Sequence, residues 1–389
     1  MSALDFATDP MPGPVMHAHL RKLREQGPLV EVQFGGQPAF LITTFEALIE
    51  GFRDVETLPP ATLYQRSIAA IIGENFQSME GPRHRLYRRL ATPAFRSRAV
   101  ERFADEQIAA LAHEVIDRLI DQSEIDLVSQ FTRLFPFLLI SRMLGVPREG
   151  ESAFHRWAWE MLSPPTVSPE ASRAADREFT RYIAPTIAAR RVEPQDDVIS
   201  ALVESEAEGH RLDDQEVLSH VKLLFSAGAT TTHDALGSLV YTLLTVSDGW
   251  ARIVADHSLR PGAILELLRW ETPVPNLPRI SADRRIEFLG KELPPQSFVL
   301  FSMAAANRDP AVFENPDLYD IDRPTKDTLT FGRGERSCPG MHLAKKSLSV
   351  ALDALAERFP NLRLSGAPEA SEPTGATVRG PDRLMVTWH

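Results

Sequence analysis

"FGRGERSCPG", Phe331–Gly340, holds the only cysteine of the 389-residue chain, set among three glycines, two arginines and a proline. Gly332, Gly334 and Gly340 allow backbone turns and a close approach to a flat ligand that side chains would block. The following stretch, "MHLAKKSLSVALDAL", places Leu348, Ala351, Leu352 and Leu355 on one face at helical spacing. Cys338 therefore sits just before a helix N-terminus, where free N–H groups and the helix dipole favour a thiolate over a thiol. Such a thiolate suits nucleophilic attack or a soft metal ion. A cysteine hydrolase needs a His partner, and 11 histidines leave one available. Zinc fits poorly, because structural sites take about four ligands and no Cys or His pair flanks Cys338. The plain alternative is a buried structural cysteine, and the glycine-rich setting beside Arg336 argues against it.

The rest of the chain bounds what that loop can serve. A composition of 43% hydrophobic and 24% charged residues is that of a globular protein. The net charge of −11 argues against general nucleic-acid affinity. No run reaches the ~18 apolar residues of a membrane helix; the densest, "LFPFLLI" (Leu134–Ile140), contains a proline. The N-terminus, "MSALDFATDPMPGP", has neither the basic start nor the apolar core of a signal peptide. A lone cysteine fits a reducing compartment. The expectation is a soluble, cytoplasmic protein that engages neither membrane nor nucleic acid.

Helical periodicity dominates from about 99 to 249. Ile108, Leu111, Val115 and Leu119 recur at steps of three and four. Asp213 or Asp214 is placed to cap a long helix. "LVEVQFGGQPAFLIT" (Leu29–Thr43) reads as a hairpin around Gly-Gly, and "IEFLGKELPPQSFVLFSM" (Ile286–Met303) as a second small sheet region. Proline clusters at 59–60, 164–165, 273–278 and 294–295 read as loops. No long linker or repeat divides the chain. The reading is one unit over 1–389, mainly α with minor β sheets: α-rich over about 80–270 and 340–358, with strands within about 29–43, 286–303 and 360–388.

The pattern F-G-x-G-x-R-x-C-x-G, at Phe331, Gly332, Gly334, Arg336, Cys338 and Gly340, resembles the haem-binding loop of the cytochromes P450. The resemblance implies the cytochrome P450 fold and haem b, with the Cys338 thiolate as axial ligand of its iron. Other stretches match in the family's order. "ELLR" puts Glu266 and Arg269 at i and i+3 on one helix face, and resembles the buried E-x-x-R pair that supports the cysteine loop. "YDIDRP" puts Arg323 where the family carries a third, joining arginine. Arg279 in "ETPVPNLPR" matches an arginine that reaches a haem propionate, a carboxylate suited to a guanidinium fork. His84 and Arg88 in "EGPRHRLYRRL" match the H-x-x-x-R that clamps propionates. "AAANRDPAVFENPD" (Ala304–Asp317) and "ISRMLGVP" (Ile140–Pro147) also resemble bacterial members, so the likeness runs from about residue 14 to 386.

"LLFSAGATTTHDAL" (Leu223–Leu236) matches the family's A-G-x-(acid)-T-T at Ala227, Gly228, Ala229, Thr230, Thr231 and Thr232. Gly228 inside a helix costs about 1 kcal/mol relative to alanine, and threonine hydroxyls that bond back one turn bend helices. Small residues and a bend open a groove for oxygen and water; tight helix packing is the ordinary alternative. Thr231 falls on the threonine that serves oxygen activation and proton delivery. Thr230 stands where the acid belongs, and a hydroxyl holds water without carrying a carboxylate's charge. Three routes follow: Asp234, at i+4 from Thr230, substitutes; water held by Thr230, Thr231 and Thr232 suffices; or peroxide or a substrate group replaces ordinary oxygen activation.

The resemblance further implies a monooxygenase that oxidises a small apolar molecule with O2. Its pocket would draw on 63–76, 157–167, 224–227 (with Ala227) and 274–277 (Val274, Asn276, Leu277). Nothing in the chain resembles a flavin or iron–sulfur domain. Electrons are therefore expected from NAD(P)H through a separate ferredoxin and its reductase, docking on Arg85, Arg89, Lys345 and Lys346 near the cysteine face. A peroxygenase, a non-redox member of the family and a non-catalytic haem sensor are the alternatives.

Overall fold

The element that organises the molecule is a 32-residue helix, Asp214–Thr245, about 48 Å long at 1.5 Å per residue. Asp213 starts it with a capping box: its carboxylate accepts the Glu216 amide proton at 2.8 Å, and the Glu216 carboxylate accepts from the Asp213 amide at 2.9 Å. Apolar residues lie all round this central helix, which fits an element covered on every side. The helices Leu134–Leu144, Phe154–Met161, Pro169–Val192, Arg260–Trp270 and Met341–Arg358 pack against it. This is a computed structural model, and it describes residues 4–103, 107–162, 166–324 and 327–389.

Both periodic stripes read from the sequence are buried. Leu348, Ala351, Leu352 and Leu355 line the inner face of Met341–Arg358, and Ile108, Leu111, Val115 and Leu119 are equally covered. No helix among the described residues is long and apolar enough to cross a membrane.

The main sheet has four strands in the spatial order Leu29–Phe34, Gln37–Ile42, Phe298–Ser302, Asn276–Ile280. The first two form the expected hairpin; Phe298–Ser302 runs parallel to Gln37–Ile42 and antiparallel to Asn276–Ile280. The last strand was not legible, because the proline cluster at 273–278 reads as a loop. It forms because it lies at the sheet edge, where Pro278 leaves no ladder bond unmade. A smaller sheet joins Arg363–Leu364, Met385–Thr387 and Glu124–Asp126. The polar turn at Gly209–His210 is a short hairpin, Glu206–Ala207 with His210–Arg211.

A buried ionic cluster ties the two chain ends together. Glu271, just after Arg260–Trp270, accepts from His17 Nε2 at 3.0 Å and from Arg379 Nε, and Arg308 lies alongside. Arg379 also donates to the Met11 and Gly13 carbonyls at 2.8 and 2.9 Å. Glu271 thus balances Arg379, and Arg308 is shared between it and Asp317, 3.2 Å away; a protonated His17 would add a further buried cation beside the two guanidinium groups. Accordingly, burial and Arg308 push His17 down to about 4, and Arg379 and His17 hold Glu271 far below its usual range despite burial.

Glu271→Gln leaves the buried Arg379 without a counter-charge, while Arg308 keeps Asp317 at 3.2 Å, and is expected to cost about 3 kcal/mol, read as a lower urea midpoint. The same cluster sets an acid limit. Unfolding lets His17 take up a proton it refuses when folded, so stability is complete above about pH 6.5 and falls on the order of 3 kcal/mol by about pH 4. Glu271 adds to the loss below its ordinary value of 4.5. Urea titrations from pH 7 to 4.5 should show this slope, and His17→Gln should remove the His17 share of it, leaving that of the other histidines held down in the fold, His84, His155, His220 and His233.

Candidate active site

Cys338 lies in the loop that ends at Gly340, the N-cap of Met341–Arg358. Gly332 and Gly334 have φ of 68° and 74°, a region only glycine enters freely. These turns bring the Cys338 amide to the Phe331 carbonyl at 2.8 Å. The Cys338 side chain is exposed to a cleft between this loop and the central helix. Desolvation in the cleft pushes the thiol up, while the Gly340 and Met341 amides and the Arg88 guanidinium pull it down. Burial is the largest of these and leaves the thiol above its usual range, against the thiolate expected from the helix N-terminus alone; a cation at sulfur would overcome the desolvation.

Arg88, on the Gly81–Ala91 helix, donates to the Ser337 carbonyl at 2.5 Å. Arg336 donates to the carbonyls of Phe76, Gln77 and Met79, which locks the cysteine loop to the segment before that helix. Arg279 donates to the Leu58 carbonyl at 3.0 Å and lies 4.2 Å over the Phe301 ring. Among the described residues none of these three arginines forms an ion pair. Burial pushes Arg279 down to about 10. His84 is buried, and neither of its ring nitrogens has a partner; burial, Arg336 and Arg88 push it down to about 4. Three guanidinium groups and an unpartnered imidazole around one cleft form a cradle for carboxylates. A thiol at the cleft floor and Phe331, Gly332 and Gly340 beside it complete a site that fits a flat, dianionic iron macrocycle.

The support beneath the loop is a buried network. Arg269 grips Glu266 through two bonds of 2.7 and 2.8 Å and donates to the carbonyls of Asn307, Pro316 and Leu318. Arg323 Nε reaches the same carboxylate at 2.9 Å. Asn307 passes the constraint on: its Oδ1 accepts from the Leu329 amide at 2.8 Å, and its Nδ2 donates to Thr330 Oγ1 at 3.0 Å. Sequence reasoning missed Asn307, although "AAANRDP" had been singled out.

On the opposite wall, Ala227, Gly228, Thr231 and Thr232 line the cleft. Thr230, Thr231 and Thr232 each donate one turn back, to Ser226, Ala227 and Gly228 at 3.0, 3.3 and 3.0 Å. The helix nevertheless runs unbroken through them. Thr230 and Asp234 do not line the cleft. They lie about 40° apart at 3.6 residues per turn, and both face a second cavity with His233.

Val274 and Leu277 line the cleft; Asn276 does not. Strand alternation is the reason: Leu277 and Arg279 point inward, while Asn276 is turned away and donates to the Ala376 carbonyl at 2.7 Å. Of the other expected wall segments, Tyr64, Phe76 and Leu224 face the cleft, together with Phe52, Leu223 and Met303. In 157–167, Trp159 and Thr166 line the second cavity instead, and Ser163, Pro164 and Pro165 lie outside the described residues. Asn276→Ala is expected to lower stability by about 1–2 kcal/mol and leave ligand affinity unchanged, whereas Leu277→Ala should weaken apolar ligands several-fold by spectral titration.

Comparison with known proteins agrees with this geometry. The family profile described as Cytochrome P450 matches residues 6–253 and 259–388. Cytochrome P450 107B1 of Saccharopolyspora erythraea is 32% identical over 95% of this chain and 94% of its own length. The 6-deoxyerythronolide B hydroxylase of the same organism is 33% identical over 94% of each chain. The solved structure of cytochrome P450 CYP109Q5 from Chondromyces apiculatus superposes with a TM-score of 0.89 at 27% identity, covering 99% of this chain and 97% of that one. The chain belongs to the cytochrome P450 family. It is an oxidoreductase of the monooxygenase class, which uses haem iron, O2, an organic substrate and electrons from partner proteins. Relatives named as hydroxylases, epoxidases and monooxygenases favour this reading over the peroxide-driven, non-redox and sensor alternatives.

Proposed function

We propose that the chain, acting as one unit, holds haem b in the cleft with the Cys338 thiolate on iron, and oxidises a small, apolar molecule there. The observation that carries this is the convergence on one cleft of Cys338, the unpartnered His84 and three arginines that form no ion pair among the described residues. His84, Arg88, Arg279 and Arg336 bind the two propionates, and Glu266, Arg269 and Arg323 hold the cysteine loop in place. Bound on the thiolate, the haem supplies oxygen-activating redox chemistry. Thr231 positions water and a transferable proton over the cleft. Apolar side chains, among them Phe52, Leu224, Val274, Leu277 and Met303, exclude bulk water and set the preference for an apolar substrate. Relatives named for 6-deoxyerythronolide B, mycinamicin IV and steroid oxidation point to polycyclic or macrocyclic apolar compounds.

Electrons come from NAD(P)H through a ferredoxin and its reductase, in the cytoplasm. The docking face is the depression outside Cys338, where Arg85 and Arg89 are joined by Arg88, Arg96 and His342; of the other expected residues, Lys345 and Lys346 do not line it, and Lys345 lies 5.6 Å from the centre of the Phe331 ring. Its charge is partly compensated: Arg85 lies 3.8 Å from Glu335, and Arg89 pairs with Glu208 at 2.7 Å. Reduction by an acidic ferredoxin should therefore slow only modestly as salt rises. The test of the whole reading is a screen of apolar compounds for a low- to high-spin shift, followed by turnover with a surrogate ferredoxin system. Oxygenated product that requires reductant supports it; spin shifts without reductant-dependent product would overturn it.

A further inference from the structure

A second cavity, of about 420 Å³, is lined by residues of the central helix that do not line the cleft. Thr230, His233 and Asp234 face it from that helix. Arg133 and His155 face it from neighbouring helical segments, Asp9 from the N-terminal segment, and Thr374 and Asp382 from the C-terminal one. Asp382 is exposed at the surface, Asp234 is 15% exposed, and Thr230 is 3% exposed. The three therefore descend from solvent to the helix, and the residue after Thr230 is Thr231, on the cleft. This gradient of exposure ends at Thr230, where this chain lacks the acid of the family pattern.

The fit around Asp234 is close. The C-terminal segment passes over it at Gly380, where a Cβ would lie 2.6 Å from Asp234 Oδ1. Its carboxyl receives no hydrogen bond among the described residues; the nearest basic nitrogen, His233 Nε2, is 3.8 Å away. His233 is engaged at Nδ1 with Thr132 Oγ1 at 3.2 Å. A buried carboxyl with no donor, open to a cavity, keeps its proton. Burial, with Asp382 adding repulsion and Arg133 opposing, pushes Asp234 up to about 7. His155 and His233 are held neutral at that pH, pushed down to about 4 and 3, so neither competes as a proton donor.

We propose that protons for oxygen reduction enter through this second cavity, with Asp234 taking a proton from solvent beside Asp382 and passing it by way of Thr230 to Thr231. The inference rests on the monooxygenase reading above. Each transfer breaks the O–H bond of the Asp234 carboxylic acid and forms one on cavity water or on Thr230. Thr230, whose hydroxyl at rest donates to the Ser226 carbonyl at 3.0 Å, turns from that carbonyl as it accepts and releases its own hydroxyl proton onward, and solvent restores the carboxylic acid. Two such protons accompany the two electrons from the partner proteins, so that O2 and R–H give R–OH and water. Asp234 is a positioning residue for protons, acting through Thr230 and Thr231, and the cleft itself needs no carboxylate.

The test begins with infrared difference spectra of the reduced, carbon monoxide-bound holoenzyme across pH 5–9. A carboxylic-acid C=O band that titrates near neutral pH, disappears in Asp234→Asn and moves to lower pH in Asp382→Asn is expected; its absence in the unmodified protein overturns the proposal. Turnover is then measured with the apolar compound giving the largest spin shift in the screen. With O2 and reductant, product per electron pair should fall above about pH 7, fall about tenfold and lose its pH dependence in Asp234→Asn, and recover in part in Asp234→Glu. Driven by hydrogen peroxide, which brings its own protons and electrons, Asp234→Asn should match the unmodified protein. Loss of both activities marks a structural role and overturns the proposal, as does unchanged oxygen-driven coupling. Failure of the monooxygenase reading itself is separately visible, as the lack of a thiolate-type carbonyl spectrum in the unmodified protein.

Discussion

Arg269→Ala should yield a chain that neither folds stably nor retains cofactor. Arg269 is 2% exposed and makes two bonds to Glu266 and one each to the carbonyls of Asn307, Pro316 and Leu318. Removing it strands a buried carboxylate with only Arg323 and the Asp320 amide as donors. Breaking a buried pair in this way costs about 3–5 kcal/mol, and each abandoned carbonyl adds about 1 kcal/mol. The sum is comparable with the whole stability of a typical protein, about 5–15 kcal/mol. Lysine should not rescue, because a single ammonium cannot reproduce the fork to Glu266 while serving three carbonyls. Soluble yield, haem content and thermal unfolding are the readouts. A melting temperature within a few degrees of the unmodified protein would show that the network is dispensable.

Cys338→Ser should have the opposite profile: an intact fold and no monooxygenase activity. The Cys338 side chain is exposed to the cleft, so little packing is lost with the sulfur. The loop is held by Arg336 to the 76–79 carbonyls, by Arg88 to Ser337 and by the Cys338 amide to Phe331, none of which needs the thiol. A serine hydroxyl does not ionise under the pull of the Gly340 and Met341 amides and Arg88, and it is a poor ligand for iron. Circular dichroism and melting should stay close to those of the unmodified protein, while product formation falls to background. Retention of reductant-dependent product would remove Cys338 from its assigned place.

The contrast between these substitutions follows how the sequence could be read. His84 with Arg88, Arg279, and Arg336 with Cys338 come from three widely separated stretches, yet each stands in a dense local pattern, and the fold brings them to one cleft. Glu266 and Arg269 were legible as a pair at i and i+3, but their reach to Asn307 and the 316–318 carbonyls depends on tertiary packing. The inward or outward aim of a residue was readable only once its element was known. Asn276 seemed a cleft residue while 273–278 was a loop, and strand alternation turned it away. Asp234 and Thr230 read as belonging with Thr231, but they lie about 60° and 100° round the helix from it and line the second cavity instead. The Glu271–Arg379–His17 cluster joins positions more than 100 residues apart; Glu271 opens "ETPVPNLPR", yet nothing in that stretch announces its partners at the two ends of the chain.

The most direct test of the central claim is the visible spectrum of the purified protein, reduced and exposed to carbon monoxide. Haem seated on the Cys338 thiolate predicts a strongly red-shifted Soret band, lost in Cys338→Ser. A colourless protein, or a carbonyl spectrum of the imidazole-ligated kind, would contradict the assignment of the cleft and of Cys338 within it.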